Sequence, residues 1–345
     1  MKYRYLGKTG LLVSELTLGT MTFGAKGWGC DKSEAHAMLA AYLEAGGNMI
    51  DAADVYAAGE TETIIGEFLP SVDRNSLIVA SKCGFPFGSD VNGLGLSRKH
   101  IIHSVEASLK RLKTEYLDIF YLHRPDPFTP ADEILEAFST LIGQGKVLYP
   151  AFSNTQAWRL TLLQAAAKER GMGGFACGQF MYNLVDRNCE QEIIPAMKYQ
   201  GIGFLAWSPL AGGLLTGKYR SFEEVPKGSR FDLRKNLDVP RFWSDRSRHI
   251  VAEFVALAEE VGIPPAKLAI GWLLSKEYVS SVIVGARTKE QLAGNLAAAD
   301  FAVSGDILAR LDKISEPSRN YLWDFSTDLS VSFSSRGKAF PGTVV

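Results

Sequence analysis

The feature that most constrains this chain is an alternation: a short, uniformly apolar run, then a stretch with helical apolar spacing, eight times over. The apolar runs fall at 16–19, 48–53, 77–81, 116–122, 146–152, 176–180, 203–207 and 279–284. The helical patterns fall at 31–44, 61–69, 97–113, from 129 onward, 155–170, 190–200, 247–261 and 288–299. A strand that is apolar at every position is buried on both faces, as a parallel sheet covered by helices requires. Eight such units predict an α/β fold closed into a (β/α)8 TIM barrel. A doubly wound open sheet is the alternative, because alternation alone does not close a ring. Ahead of the first unit, residues 3–6 and 11–13 flank Gly7-Lys8-Thr9-Gly10 and predict a β-hairpin. No low-complexity stretch or Pro/Gly/Ser linker divides the 345 residues, so one domain over 1–345 is expected, with a C-terminal tail over the barrel mouth.

Helix starts are marked by cap residues. Asp31 with Glu34, and Thr288 with Gln291, have capping-box spacing, and Ser97 precedes a third helix. Thr129-Pro130 reads as a cap followed by proline at the first helical position.

Charge excludes several partners. Lysine plus arginine (37) nearly cancel aspartate plus glutamate (38), so no global field attracts nucleic acid or an anionic membrane. The N-terminus lacks an apolar signal core, and no stretch reaches the roughly 18 apolar residues of a membrane span. Cys30, Cys83, Cys177 and Cys189 are widely spaced, which argues against a disulfide framework or zinc knuckle and suits a reducing, cytoplasmic location. His100 and His103 share one helix face with Glu106, but their charged and polar neighbours read as a solvated face, so no metal is expected.

In a barrel of this kind the active site sits at the C-terminal strand ends. Those ends carry Asp51 after strand two with Tyr56 just beyond, Lys82 on strand three and His123 on strand four. Singly, each has a structural explanation: a helix cap, a rim aromatic, a solvated strand end, a core histidine. Together they suit carbonyl reduction, in which hydride delivery builds charge on oxygen that needs a proton donor. A lysine ammonium is expected to pull the tyrosine phenol down from about 10 by roughly 1–3, with Asp51 orienting Lys82 and His123 donating to the carbonyl oxygen. Tyr56 is then a usable general acid, or a base for the reverse oxidation.

The segments LGTMTFG (18–24), IDAADVY (50–56), VASK (79–82), LDIFYLHRPDP (117–127), FSN (152–154), AWSPLAGGLLTGKY (206–219) and IVGARTKEQLAGN (283–295) resemble, in order, those of the aldo-keto reductase family. The HRPDP and SPLAGGLLTGKY segments are similar to the branch that includes potassium-channel β subunits and related bacterial reductases. The resemblance implies the barrel, NADP(H) as cofactor, a small-molecule carbonyl or alcohol substrate, and a catalytic tetrad at Asp51, Tyr56, Lys82 and His123. It also implies cofactor contacts from Gly19, Thr20, Met21 and Asp51, and from Ser153, Asn154 and Gln179 gripping the carboxamide. Trp207 would stack on the nicotinamide, with Ser208, Pro209, Leu210, Gly212 and Lys218 in the loop over the cofactor, and Gly285, Arg230, Arg287, Gln291 and Asn295 toward the adenosine end. Binding rather than turnover is the alternative function, as in a regulatory subunit; a monomer or small homo-oligomer is expected. One departure stands out: Pro150 and Ala151 precede Phe152, where the family often has glycine two residues before the Ser-Asn pair, and proline cannot donate to a strand ladder.

Two nucleotide motifs are decoys. Gly201–Ala206 matches G-x-G-x-x-A but leads into a strand, and GGLLTGKY (212–219) ends in tyrosine where a P-loop needs Ser or Thr for magnesium. Its glycine-rich backbone and Lys218 still suit a pyrophosphate. Arg287 precedes a helix N-terminus whose free N–H groups favour phosphate; Arg230 stands at a matching family position, so the resemblance implies that the two cations take the 2′-phosphate of NADP. For the substrate, Trp28, Phe85, Phe87 and Arg124 lie in loops after strands one, three and four, beside Tyr56 and His123. Tail aromatics Tyr321, Trp323 and Phe325 fit either a ring-bearing substrate or loop packing.

Overall fold

The computed structural model describes residues 1–219, 225–318 and 321–323. A hairpin, β1 (Tyr3–Tyr5) and β2 (Leu12–Ser14), leads into β3 (Leu16–Gly19), α1 (Lys32–Glu44), β4 (Met49–Asp51) and α2 (Glu60–Phe68). Next come β5 (Ile78–Cys83), α3 (Arg98–Leu112), β6 (Leu117–Leu122), α4 (Ala131–Gly143), β7 (Val147–Ser153) and α5 (Ala157–Glu169). The chain continues through β8 (Cys177–Met181), α6 (Ile193–Gln200) and β9 (Gly203–Trp207) to the short helices α7 (Arg230–Leu233) and α8 (Lys235–Phe242). It ends in α9 (Asp245–Glu260), α10 (Pro265–Leu274), β10 (Val279–Gly285), α11 (Lys289–Leu296) and α12 (Gly305–Ile314).

Strands β3 to β10 form a closed parallel barrel in sequence order, with β10 returning to pair with β3. Closure settles the choice between a barrel and an open doubly wound sheet. At that seam the Thr17 and Ser281 hydroxyls bond each other inside the barrel at 2.7 Å. Side chains alternate along each strand. One set fills the barrel interior, including Met49, Ala80, Ile119, Tyr121 and Leu205; the other packs outward against the helices.

The hairpin pairs antiparallel and closes the N-terminal end of the barrel, with Leu6 and Val13 fully buried in the interior cluster. Gly7 (φ +58°) runs so close to the start of β9 that a Cβ there would lie 2.5 Å from Gly201 O. Only glycine fits that approach. Arg4 donates to the carbonyls of Leu274, Lys276 and Val279, tying the hairpin to the turn between α10 and β10.

Ser97 caps α3 by accepting from His100 N. The other caps differ in part from expectation. Asp31 accepts from Glu34 N, but the Glu34 carboxylate accepts from Lys289 N on α11 instead of returning to Asp31. Thr288 accepts from Gln291 N, while the Gln291 side chain takes the Arg287 N–H. Thr129 caps nothing: Pro130 is the N-cap of α4 without a side-chain bond, and Thr129 Oγ1 donates to Asp126. Gly201, the first glycine of the decoy G-x-G-x-x-A, is the left-handed C-cap of α6. Pro150 is accommodated inside β7 because its carbonyl still accepts from Ala176 N at 2.9 Å. Helices α7, α8, α10 and α12 lie outside the eight expected.

Candidate active site

Barrel register brings the predicted residues to one mouth. Asp51 ends β4, Lys82 lies next to the end of β5, and His123 directly follows β6. Tyr56 follows β4 through a turn in which Ala57 (φ 46°), Ala58 (φ 54°) and Gly59 (φ 90°) are all left-handed. Among the described residues, Asn154, Ser208 and Ala211 in other strand-end loops share this conformation, and Lys113 at the end of α3 is the sixth such non-glycine. A non-glycine residue held this way costs on the order of 1–3 kcal/mol, a strain that gathers at functional loops.

Lys82 is fully buried, and its ammonium donates to Asp51 Oδ2 (2.7 Å), Ala52 O (2.6 Å) and Tyr56 Oη (3.2 Å). All three of its N–H donors are thereby used. The second Asp51 oxygen accepts from Gln179 Nε2 at 2.7 Å. His123 lies edge-on to Tyr56, with ring centroids 5.9 Å apart, and to Phe85 at 4.7 Å. Its Nδ1 is buried without a hydrogen-bond partner.

The electrostatics correct one expectation. Burial pushes the Tyr56 phenol above its ordinary value, and although Lys82 pulls it down, Asp51 opposes that pull. The cation that was to acidify Tyr56 is paired with an anion of its own. Burial works against the Lys82 ammonium, yet Asp51 and Tyr56 together hold it above the usual lysine value. His123 is pushed well below the usual imidazole range by burial, Lys82 and Arg124, which leaves it neutral at pH 7. The resting set is therefore an ammonium and a protonated phenol beside a neutral imidazole.

Around this centre, Asn154 Nδ2 donates to His123 O and Ser153 Oγ, and Asn154 Oδ1 accepts from Trp207 Nε1. Ser153 Oγ donates to Gln179 O. Ser153, Asn154, Gln179 and Trp207 thus form one connected network, with the Gln179 amide nitrogen committed to Asp51. Thr20 Oγ1 donates to Asp51 O, Met21 follows it at the mouth, and Gly19 faces Gly285 in register.

The residues expected around a dinucleotide lie mostly in the segments that follow β9 and β10. Ser208, Pro209 and Leu210 follow β9; Gly212 is left-handed (φ 69°) and donates to Ser208 Oγ. Lys218 folds back over Gly213, its Nζ 3.0 Å from where a Cβ on that glycine would stand. Arg230 is paired with the fully buried Asp238 at 2.7 Å, which Arg234 and Arg241 share. Arg287 donates to Gly228 O, two residues from Arg230. Asn295 Nδ2 donates to Gly285 O. A glycine cradle, a lysine and two neighbouring arginines fit a cofactor with phosphates along its length.

The substrate-side residues divide. Phe85 packs on His123, and the Arg124 guanidinium lies 5.2 Å over Phe85. Trp28 is covered by Arg234 at 4.5 Å. Phe87 stands apart, under Arg111 at 5.1 Å, on a cavity outside the barrel that also involves Asp54 and His100. Tyr321 is exposed, and Phe325 lies outside the described residues, as does all of 324–345. Trp323 is described, partly buried.

Sequence reasoning missed a buried ion pair just behind the mouth. Glu62 on α2 is fully buried and accepts from Ser81 Oγ (2.5 Å) and Arg111 Nε (2.6 Å). Arg111 lies in the last turn of α3, where a cation also suits the helix dipole; a carboxylate on the inward face of α2 was the available signal. His100 is buried rather than solvated, and no metal-binding cluster of His, Cys, Asp or Glu occurs among the described residues. All four cysteines are free. No helix among the described residues is long and apolar enough to cross a membrane.

Residues 15–316 match the Aldo/keto reductase family. The chain is 36% identical over 324 residues, 91% of its length and 96% of the relative, to "Uncharacterized oxidoreductase YrpG" of Bacillus subtilis. It is 40% identical over 305 residues to the "Probable voltage-gated potassium channel subunit beta" of Oryza sativa subsp. japonica, covering 87% of this chain and 92% of that one. The protein of the same name from Arabidopsis thaliana is also 40% identical over 305 residues. A family match across nearly the whole barrel, with the strand-end cluster inside it, shows that the chain belongs to the aldo/keto reductase family.

Proposed function

We propose that this one-domain protein is an NADP(H)-dependent oxidoreductase of the cytoplasm that interconverts aldehydes or ketones and alcohols. The observation that carries the reading is the Lys82 ammonium, fully buried and bonded to both Asp51 and Tyr56. Bound NADPH supplies the hydride. Tyr56 holds a proton at Oη across neutral pH and releases it to the oxygen on which charge develops. Lys82 stabilises the phenolate that remains, and Asp51, fixed by Gln179, keeps the ammonium charged and aimed. Neutral His123 offers a hydrogen bond to the same oxygen without competing as an acid. Trp28, Phe85 and Arg124 border the space for the substrate, and Arg230 and Arg287 support a preference for the 2′-phosphate.

A second reading has support of its own: two of the similar proteins are named potassium channel β subunits, so a cofactor-binding regulatory role with slow turnover fits the same residues. Single-turnover oxidation of bound NADPH, and of NADH, across a panel of aldehydes and ketones separates the two. The enzyme reading expects carbonyl-dependent oxidation and tighter NADPH than NADH. Tight NADPH without oxidation by any carbonyl would leave the regulatory reading.

A further inference from the structure

The turn that presents Tyr56 carries another buried acid. Asp54, two residues earlier, is 1% exposed, and both its carboxylate oxygens are buried without a hydrogen-bond partner. Its backbone N–H donates to Lys82 O at 3.2 Å, which fixes it against the strand end that bears Lys82. The side chain lies outside the barrel. It borders a partly open cavity of about 150 Å³ with Phe87, Lys99, His100, His103 and Arg111, and the His100 Nε2 also lacks a partner.

The groups facing Asp54 leave it unpaired. From α2 comes Glu62, whose oxygens are held by Ser81 and Arg111. From α3 come Arg111, committed to Glu62 at 2.6 Å, with Lys99, His100 and His103 along the cavity. From β5 come Cys83 and Lys82, whose three donors are used elsewhere. The loop after β5 adds Asp90, and Tyr56 lies in the same turn. No cation forms an ion pair with Asp54, and the pull of Arg111 and Lys82 offsets its burial only in part. Burial, then Glu62, pushes its carboxyl up to about 7. Its charge changes in the neutral range, with the cavity as a route for water and protons. When ionised, it is one of the groups that keep the Tyr56 phenol high.

We propose that Asp54 is a positioning residue for the proton donor, acting from behind Lys82 to set the charge that surrounds Tyr56 Oη. The proposal rests on the reading of Tyr56 as that donor. Its sign follows from Coulomb's law: ionised Asp54 disfavours phenolate and makes Tyr56 a weaker acid. Carbonyl reduction then steps down as pH rises through about 7, over and above any other titration.

Asp54→Asn removes the charge and keeps the shape, and Asp54→Ala carries the same expectation should the amide fail to fold. Two readouts apply. The first is kcat against pH with NADPH and carbonyl saturating; the second is ultraviolet titration of the Tyr56 phenol, as the difference between each protein and its Tyr56→Phe counterpart, without substrate. The expected result is loss of the step near pH 7 and a phenol that ionises at lower pH than in the wild type, with KM unchanged and the step restored in Asp54→Glu. An unchanged step and unchanged phenol titration in a folded variant would overturn the proposal and leave Asp54 a structural residue. If the wild type shows no Tyr56-dependent turnover, the functional reading fails instead, and the phenol titration still decides the part assigned to Asp54.

Discussion

The two ends of the barrel are built on opposite principles. At the N-terminal end, Leu6 and Val13 are buried against the barrel interior, Arg4 satisfies three carbonyls, and tight approaches such as that of Gly7 are made by glycines. At the C-terminal end, five non-glycine residues are held left-handed, a lysine is buried whole, and Asp54 and His123 Nδ1 lack partners. Stability explains the first end. Left-handed strain and a wholly buried ammonium at the other end are what a reactive site requires and what folding alone would select against.

The largest effect should come from dividing the buried pair. Lys82→Met leaves Asp51 buried with only Gln179 as a partner, and denaturant unfolding should show a loss of about 3–5 kcal/mol. A loss below about 1 kcal/mol would mean that the pair behaves as a solvent-exposed one. At the opposite end, Leu6→Ala should cost about 2–5 kcal/mol through lost burial and a residual cavity, while kcat and KM stay as in the wild type. A kinetic defect in that variant would break the separation between the ends. Smallest is Ala57→Gly, which relieves a left-handed alanine at the expense of backbone entropy. It should gain about 0.5–1 kcal/mol and lower kcat by loosening Tyr56; a gain with unchanged kcat would show that the strained turn does not position the donor.

The contrast also explains what was legible in the sequence. Strand and helix patterns are local, so the eight units and the hairpin could be read from spacing. Closure could not, since it depends on β10 meeting β3 through contacts such as Thr17 to Ser281, 264 residues apart. Helix α10 has no polar face, with Leu268 to Leu273 all buried, and so lacks the stripe that marks the others. Helix α12 does carry one, at Ile307, Leu308, Leu311 and Ile314, and its spacing was sufficient to find it. The strand-end cluster was legible because a parallel barrel turns strand ends into neighbours. Its charge balance was not. The Gln179 bond to Asp51 spans 128 residues, and the opposition of Asp51 and burial to Lys82 at the Tyr56 hydroxyl depends on packing that no spacing encodes. Asp54 escaped for the same reason: in sequence it is one more acid beside an alanine.

The central claim is that Tyr56 gives up the proton. Its most direct test is Tyr56→Phe, assayed for NADPH-dependent reduction of an accepted carbonyl compound alongside NADPH affinity. The account predicts a fall in kcat of roughly 10²–10⁴ with cofactor binding nearly unchanged. Turnover at the wild-type rate would contradict it.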